Sequence, residues 1–154
     1  MPADLSSTDP LTILEVRDLD GRIEALVRVS RPRYLRTSAI PGLADAVLER
    51  WPGIERHRCE CGSAHGIVAE LADTELPHLL EHVALERAAT AGAPRALRGE
   101  TRWDFAADGK GVFRVSLAYR DPDSGFDDAA LVEGAVRDGA REVAALVAAC
   151  ERGV

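Results

Sequence analysis

The sequence predicts an α+β fold, a two-layer domain in which a largely antiparallel sheet carries about three helices. Three observations lead there. Two stretches, one near each end of the chain, read as β-hairpins. Longer segments of helical periodicity stand between and after them. The element order, strand–strand–helix, strand, helix, strand–strand–helix, lacks the regular alternation of a parallel sheet. With 154 residues, 46% of them apolar, the chain is long enough to bury a core.

Residues 1–10, MPADLSSTDP, are polar and proline-bearing and read as a flexible N-terminus, leaving 11–154 as one domain. LTILEVRDL and RIEALVRVS flank Asp20-Gly21, a strong hairpin turn signal. RPRYLRTSAIPG is a linking loop. A helix is expected over LADAVLERW, with Leu43, Ala46, Val47 and Trp51 on one face, closed by Pro52-Gly53. RHRCECGSA is turn-rich, and HGIVAEL is a candidate short strand. Asp73 or Thr74 is expected to cap a helix running to about Ala91, before Gly92 and Pro94. TRWDF and GVFRVSLAY flank AADGKG as a second hairpin, and a last helix runs from near Asp127 to about Cys150. Trp51, Trp103, Tyr34 and Tyr119 are read as core or sheet residues.

Composition excludes several classes. The net charge of −7 leaves no dominant basic patch and argues against a nucleic-acid partner. No segment has the roughly 18 apolar residues of a membrane span, so no membrane partner is expected. The N-terminus has neither the basic nor the apolar region of a secretory signal, so a cytoplasmic location is expected. Three cysteines, Cys59, Cys61 and Cys150, do not make a disulfide framework. Cys59-Glu60-Cys61 with His57 and His65 is a weak zinc pattern, because no second cysteine pair completes it. No G-x-S-x-G elbow is present.

The chemistry concentrates in ELPHLLEHVALE, residues 75–86. On a helix, His82 lies about 40° round from His78, and Glu81 about 60° the other way, so the three share a face. Two histidines so placed can grip one zinc ion through their ring nitrogens while the carboxylate acts as general base. The pattern H-x-x-E-H is that of inverted zinc proteases; the plain alternative is a solvated face of His-Glu pairs. A catalytic zinc normally has three protein ligands. Glu133 is the expected third, because Ala129, Ala130 and Val136 put it on an apolar face, where a carboxylate needs a partner. Glu142, beside Asp138 and Ala145, reads as more exposed. Glu86, four residues beyond His82, is expected to orient that ring or to be a surface glutamate.

AIPGLADAVLERWPGIERHRC, PHLLEHVALE and GETRWDF…GVFRVSLAYRD together resemble the amino-terminal domain of cyanophycin synthetases over roughly residues 38–147. Those enzymes make a storage polymer with a poly-aspartate backbone bearing arginine on its side-chain carboxyls, and two further domains are nucleotide-using ligases. The resemblance implies a polymer-holding module. In some members it implies an H-x-x-E-H metal site that hydrolyses the polymer, and His78, Glu81 and His82 match it. Departures accompany the match. No G-x-x-x-x-G-K-[ST] loop or ligase domain lies within the 154 residues, so synthesis by this chain alone is not expected. The family's G-R-T-R reads Gly99-Glu100-Thr101-Arg102, leaving Arg102 to hold a substrate carboxylate. A glycine-rich segment reads His65-Gly66-Ile67.

The expectation is a zinc-dependent hydrolase of amide bonds in cyanophycin-like or other arginine-bearing peptides. The rival is a non-catalytic module binding such a polymer or a partner enzyme. A homo-oligomer, or a subunit completing a separate partner ligase, is also compatible with the resemblance.

Overall fold

A computed structural model describes residues 9–58 and 66–153. Most of the N-terminal segment, and Cys59, Cys61 and His65 of the weak zinc pattern, lie outside the described residues. The architecture is the expected α+β arrangement. Strands β1 (Leu11–Asp18), β2 (Arg22–Val29), β3 (Gly99–Trp103) and β4 (Val112–Ala118) form a sheet of order β1-β2-β4-β3, antiparallel throughout. At the β1–β2 turn both Asp20 and Gly21 take positive φ, 56° and 104°. That is the backbone of the tight hairpin turn this dipeptide favours.

Helices α1 (Leu43–Arg50), α2 (Gly66–Ala72), α3 (Leu76–Thr90) and α5 (Ala129–Glu151) accompany the sheet, and α4 (Phe105–Asp108) is a single turn inside the β3–β4 connection. A two-residue hairpin, β5 (Arg120–Asp121) with β6 (Phe126–Asp127), leads into α5. Helix α3 packs over β3 and β4, and α5 over β1 and β2. The two helices also pack on each other, forming one layer. Ile23, Ala25 and Val27 of β2 and Val115 and Leu117 of β4 meet them, all buried. No helix among the described residues is long and apolar enough to cross a membrane.

Two local expectations are corrected. HGIVAEL is not a strand: Gly66–Ala72 is helical, with Ile67 and Leu71 buried. A run this short fits both periods, and the apolar pair spaced by four settles it once a core is present. The cap of α3 is neither Asp73 nor Thr74. Glu75 occupies that position without a side-chain cap bond. Asp73 instead accepts from Arg36 and Ser38, and Thr74 meets a histidine of the helix. Long-range partners have displaced the local cap. Trp103 is a sheet residue, as expected, but is 55% exposed.

The α3–α5 contact decides what each face of α3 can do. A Cβ on Gly139 of α5 would lie 3.3 Å from Leu80 Cδ1 and 3.6 Å from Val83 Cγ1. Leu80, Val83, Ala84 and Arg87 thus face α5, with Arg87 bridging to Asp138 and Glu142. His78, Glu81 and His82 lie about 180° away.

The two interior glycines of α5 give a test. Nothing lies within 4 Å of a Cβ at Gly134. Gly134→Ala should stabilise the protein by about 0.4–1 kcal/mol in urea unfolding, by restricting the unfolded chain. Gly139→Val should destabilise it by about 1–3 kcal/mol, because the added methyls enter the α3 contact.

Candidate metal centre

Helix α3 carries its chemistry indoors. Eleven of its fifteen residues are buried, among them His78, Glu81, His82 and Glu86. Pro77 is tolerated because it stands in the first turn, where no intrahelical donor is required. The helix buries apolar residues toward α5 and polar ones toward β3 and the Pro52–Arg56 turn, so each buried polar group must find a partner.

His78 Nε2 and His82 Nε2 face each other at 3.2 Å. The opposite nitrogens are both engaged: His78 Nδ1 lies 2.9 Å from Thr74 Oγ1, and His82 Nδ1 lies 3.0 Å from His57 Nδ1. With the Thr74 hydroxyl donating to Glu75 Oε2, 3.2 Å away, its oxygen accepts from His78 Nδ1–H. With His82 donating through Nδ1 to His57, the proton of the His57 ring moves to Nε2, which faces Glu86 Oε2 at 3.7 Å. Glu86 in turn accepts from Arg95 Nη1 at 2.7 and 3.0 Å. These proton positions are assigned from the partners. In this assignment both Nε2 lone pairs converge on one point.

Glu81 completes the group. Its Oε1 accepts from Thr101 Oγ1 at 2.8 Å, and its Oε2 stands 3.8 Å from His82 Nε2. One ligand atom from each of His78, Glu81 and His82 lies within 4.8 Å of the others. Close packing against β3 needs Gly99: a Cβ there would sit 2.8 Å from Glu81 Cγ. Gly53 does the same for Glu86, whose Oε1 would lie 2.1 Å from an added Cβ.

Burial sets the protonation of the group. It pushes His82 down to about 3, helped by the neighbouring His78 and His57, and lowers His57 and His78. It also pushes Glu81 up to about 7, with the Thr101 bond opposing and Glu100 adding to the rise. The rings are therefore neutral at neutral pH, the form in which imidazole binds metals.

The two histidine nitrogens match the spacing a zinc ion requires, and Glu81 is the further ligand group gathered with them among the described residues. Two nitrogens each about 2.0–2.1 Å from a tetrahedral ion would be roughly 3.3–3.4 Å apart, close to the distance found. Thr74 and His57 supply the outer hydrogen bonds that fix ligand tautomers at such sites.

Of the residues singled out in the sequence, His78, Glu81 and His82 come together and three others are placed differently. Glu133 does not reach the group. It lies on α5, on a side turned away from the α3 contact made by Gly139, Asp138 and Glu142, and accepts from Arg137 Nε at 2.9 Å near the surface. Of its apolar neighbours Val136 is buried but Ala130 is exposed, and the Glu133 side chain, 41% exposed, is less buried than that of Glu142 at 23%. Glu86 is buried rather than superficial, and it supports His57, not His82 directly. Arg102 is also elsewhere. Strand alternation turns Gly99 and Thr101 toward Glu81, while Arg102 stands 3.7 Å from Glu24 and across from Arg114. His57 and Thr74 are the partners that sequence reasoning missed. His57 entered only through the weak cysteine pattern, and Thr74 only as a helix cap.

Over the group opens a cleft of about 930 Å³, lined by His57, His78, Glu81, Leu85, Thr101 and several arginines. Fold and site define a class, an α+β domain with a buried H-x-x-E-H helix set beside an edge strand. The family model of the cyanophycin synthase-like N-terminal domain matches residues 25–138, and the chain belongs to that family. No curated protein matches it.

Two outcomes test the geometry. Gly99→Ala should destabilise the metal-free protein by about 1–3 kcal/mol in urea unfolding, because Glu81 must move. The second concerns pH. Unfolded histidine takes its proton near 6.5, whereas folded His82 does so only at about 3. Its contribution to stability is therefore complete above pH 6.5 and falls with acidification. Glu81, raised to about 7 from 4.5, works oppositely: its contribution is complete below pH 4.5 and is lost as pH rises through 7. Three lowered histidines outweigh one raised carboxylate, so Tm in chelator should drop between pH 6.5 and 5. His82→Gln should flatten that slope.

Proposed function

We propose that this domain is a metal-dependent hydrolase of amide bonds, using zinc at His78 and His82 and acting on cyanophycin-like or other arginine-bearing chains. The observation that supports it most is the convergence of the two Nε2 atoms at 3.2 Å, with the Glu81 carboxylate 3.8 Å from one of them. A solvated His-Glu face would leave these groups exposed, whereas all three are buried. Membership of the cyanophycin synthase-like N-terminal domain family supports the substrate class.

When bound, the metal supplies Lewis acidity that polarises the amide carbonyl and acidifies water. His78 and His82 hold it, their orientations kept by Thr74 and by the His57–Glu86–Arg95 chain. Glu81 is the general base. Its raised proton affinity, close to neutral pH, suits it to take a proton from the attacking water and deliver it to the departing nitrogen as the C–N bond breaks. Thr101 holds one carboxylate oxygen and leaves the other on the histidine side. Leu85 and Ala89 give the cleft an apolar flank.

Protein purified without a nickel column should hold close to one zinc per chain by metal analysis, and His78→Ala should lose it. Glu81→Gln should retain zinc and fold, yet cleave a panel of arginine-bearing isopeptides at least about a hundredfold more slowly. Absence of zinc after reconstitution would sink the hydrolase. Wild type that binds polymer but cleaves nothing would establish the holding module instead.

A further inference from the structure

We propose that the cleft recognises carboxylates, and that its ligand is a peptide-like chain whose acidic groups are held by Arg22, Arg56, Arg58 and Arg98. The proposal rests on reading this cleft as the substrate site and adds the charge class that it selects. It concerns the part of the ligand that enters the cleft, whatever cationic groups the chain carries elsewhere.

Several arginines stand at the cleft without an acidic partner among the described residues. Elsewhere arginine charge is typically met by acid: Arg36 by Asp73 and Glu75, Arg114 by Asp108, Arg120 by Asp20 and Asp127. Within the cleft, Arg95 is similarly matched by Glu86. Arg22, Arg56, Arg58 and Arg98 line the same cleft, and none has an ion-pair partner among the described residues. Among the described residues the only carboxylates on that lining are Glu81 and Glu100, so positive charge is in excess there. This happens in a chain of net charge −7, which had acid to spare for pairing. Arg56, Arg58 and Arg98 are exposed at the cleft, so their guanidinium groups remain hydrated until a ligand arrives.

Guanidinium groups bind carboxylates through two parallel hydrogen bonds, which suits recognition of acidic groups along an extended chain. An arginine side chain entering the same space would meet four like charges. A nucleic acid would offer anions too, but the described lining holds no tryptophan, tyrosine or phenylalanine on which its bases could stack. A short acidic peptide is the better match.

The test is a binding measurement, independent of turnover and metal. Chelator-treated Glu81→Gln protein would be titrated with a fluorescent aspartate hexapeptide, with an arginine hexapeptide and with a short deoxyoligonucleotide. The aspartate peptide should bind at least about tenfold more tightly than either of the others, with affinity falling as salt is raised. Arg56→Gln/Arg98→Gln should weaken it by about tenfold or more. Both side chains are exposed and have no ion-pair partner among the described residues, so circular dichroism and Tm should show the variant folded. No binding, equal or tighter binding of the arginine peptide or of the oligonucleotide, or an unchanged affinity in the double variant would each overturn the proposal. Failure of the hydrolase reading would appear elsewhere, in zinc content and wild-type turnover, and would leave this result standing.

Discussion

Helix α3 is buried on both sides, and the rest of the site follows from that constraint. One side meets α5 through Leu80, Val83 and Ala84. The other carries His78, Glu81 and His82 away from water. Polar groups removed from water are costly unless each finds a partner. The neighbouring elements provide those partners. Thr74 precedes the helix, Thr101 comes from β3, and His57 follows the Pro52–Arg56 turn, each contacting one group of the motif.

The same burial moves acid and base in opposite directions. Low dielectric disfavours charge of either sign, so the histidines lose proton affinity while Glu81 gains it. A cluster that would be a mixture of charged rings and carboxylate on a surface becomes neutral rings beside a carboxyl near its midpoint at pH 7. Glycines at 53 and 99 are needed at this spacing because the carboxylates of Glu86 and Glu81 occupy the space a Cβ would take. The family's G-x-T-R segment is thus half internal. Gly99 and Thr101 serve the site, while Glu100 lines the cleft and Arg102 joins Glu24 on another face.

Overall charge gives little guide to the cleft. A net charge of −7 is spread over ion-paired surfaces, whereas arginines gather where Arg56, Arg58, Arg95 and Arg98 approach the helix. They come from separate loops flanking α3 in sequence. Their meeting depends on the Pro52–Arg56 turn and the segment before β3 both packing beside α3. A count of charges carries no information about that meeting.

Local features were the ones legible from the residues alone. Asp20-Gly21 specified the first hairpin because its turn requires positive φ. Spacing alone placed His78, Glu81 and His82 on one face of a helix, since a rise of about 3.6 residues per turn needs no tertiary contact to align them. The tertiary structure decided which other residues meet that face. Glu133 had apolar neighbours in sequence, but α5 turns it toward solvent, away from the side that meets α3. Arg102 was one residue from Thr101, yet strand alternation turned it away. His57, about seven helical turns' worth of sequence from His82, was brought to 3.0 Å by packing alone. Thr74 was drawn from capping to His78. Periodicity reports on neighbours within one element, whereas ligand shells are built across elements, where the alignment of faces depends on the whole packed core.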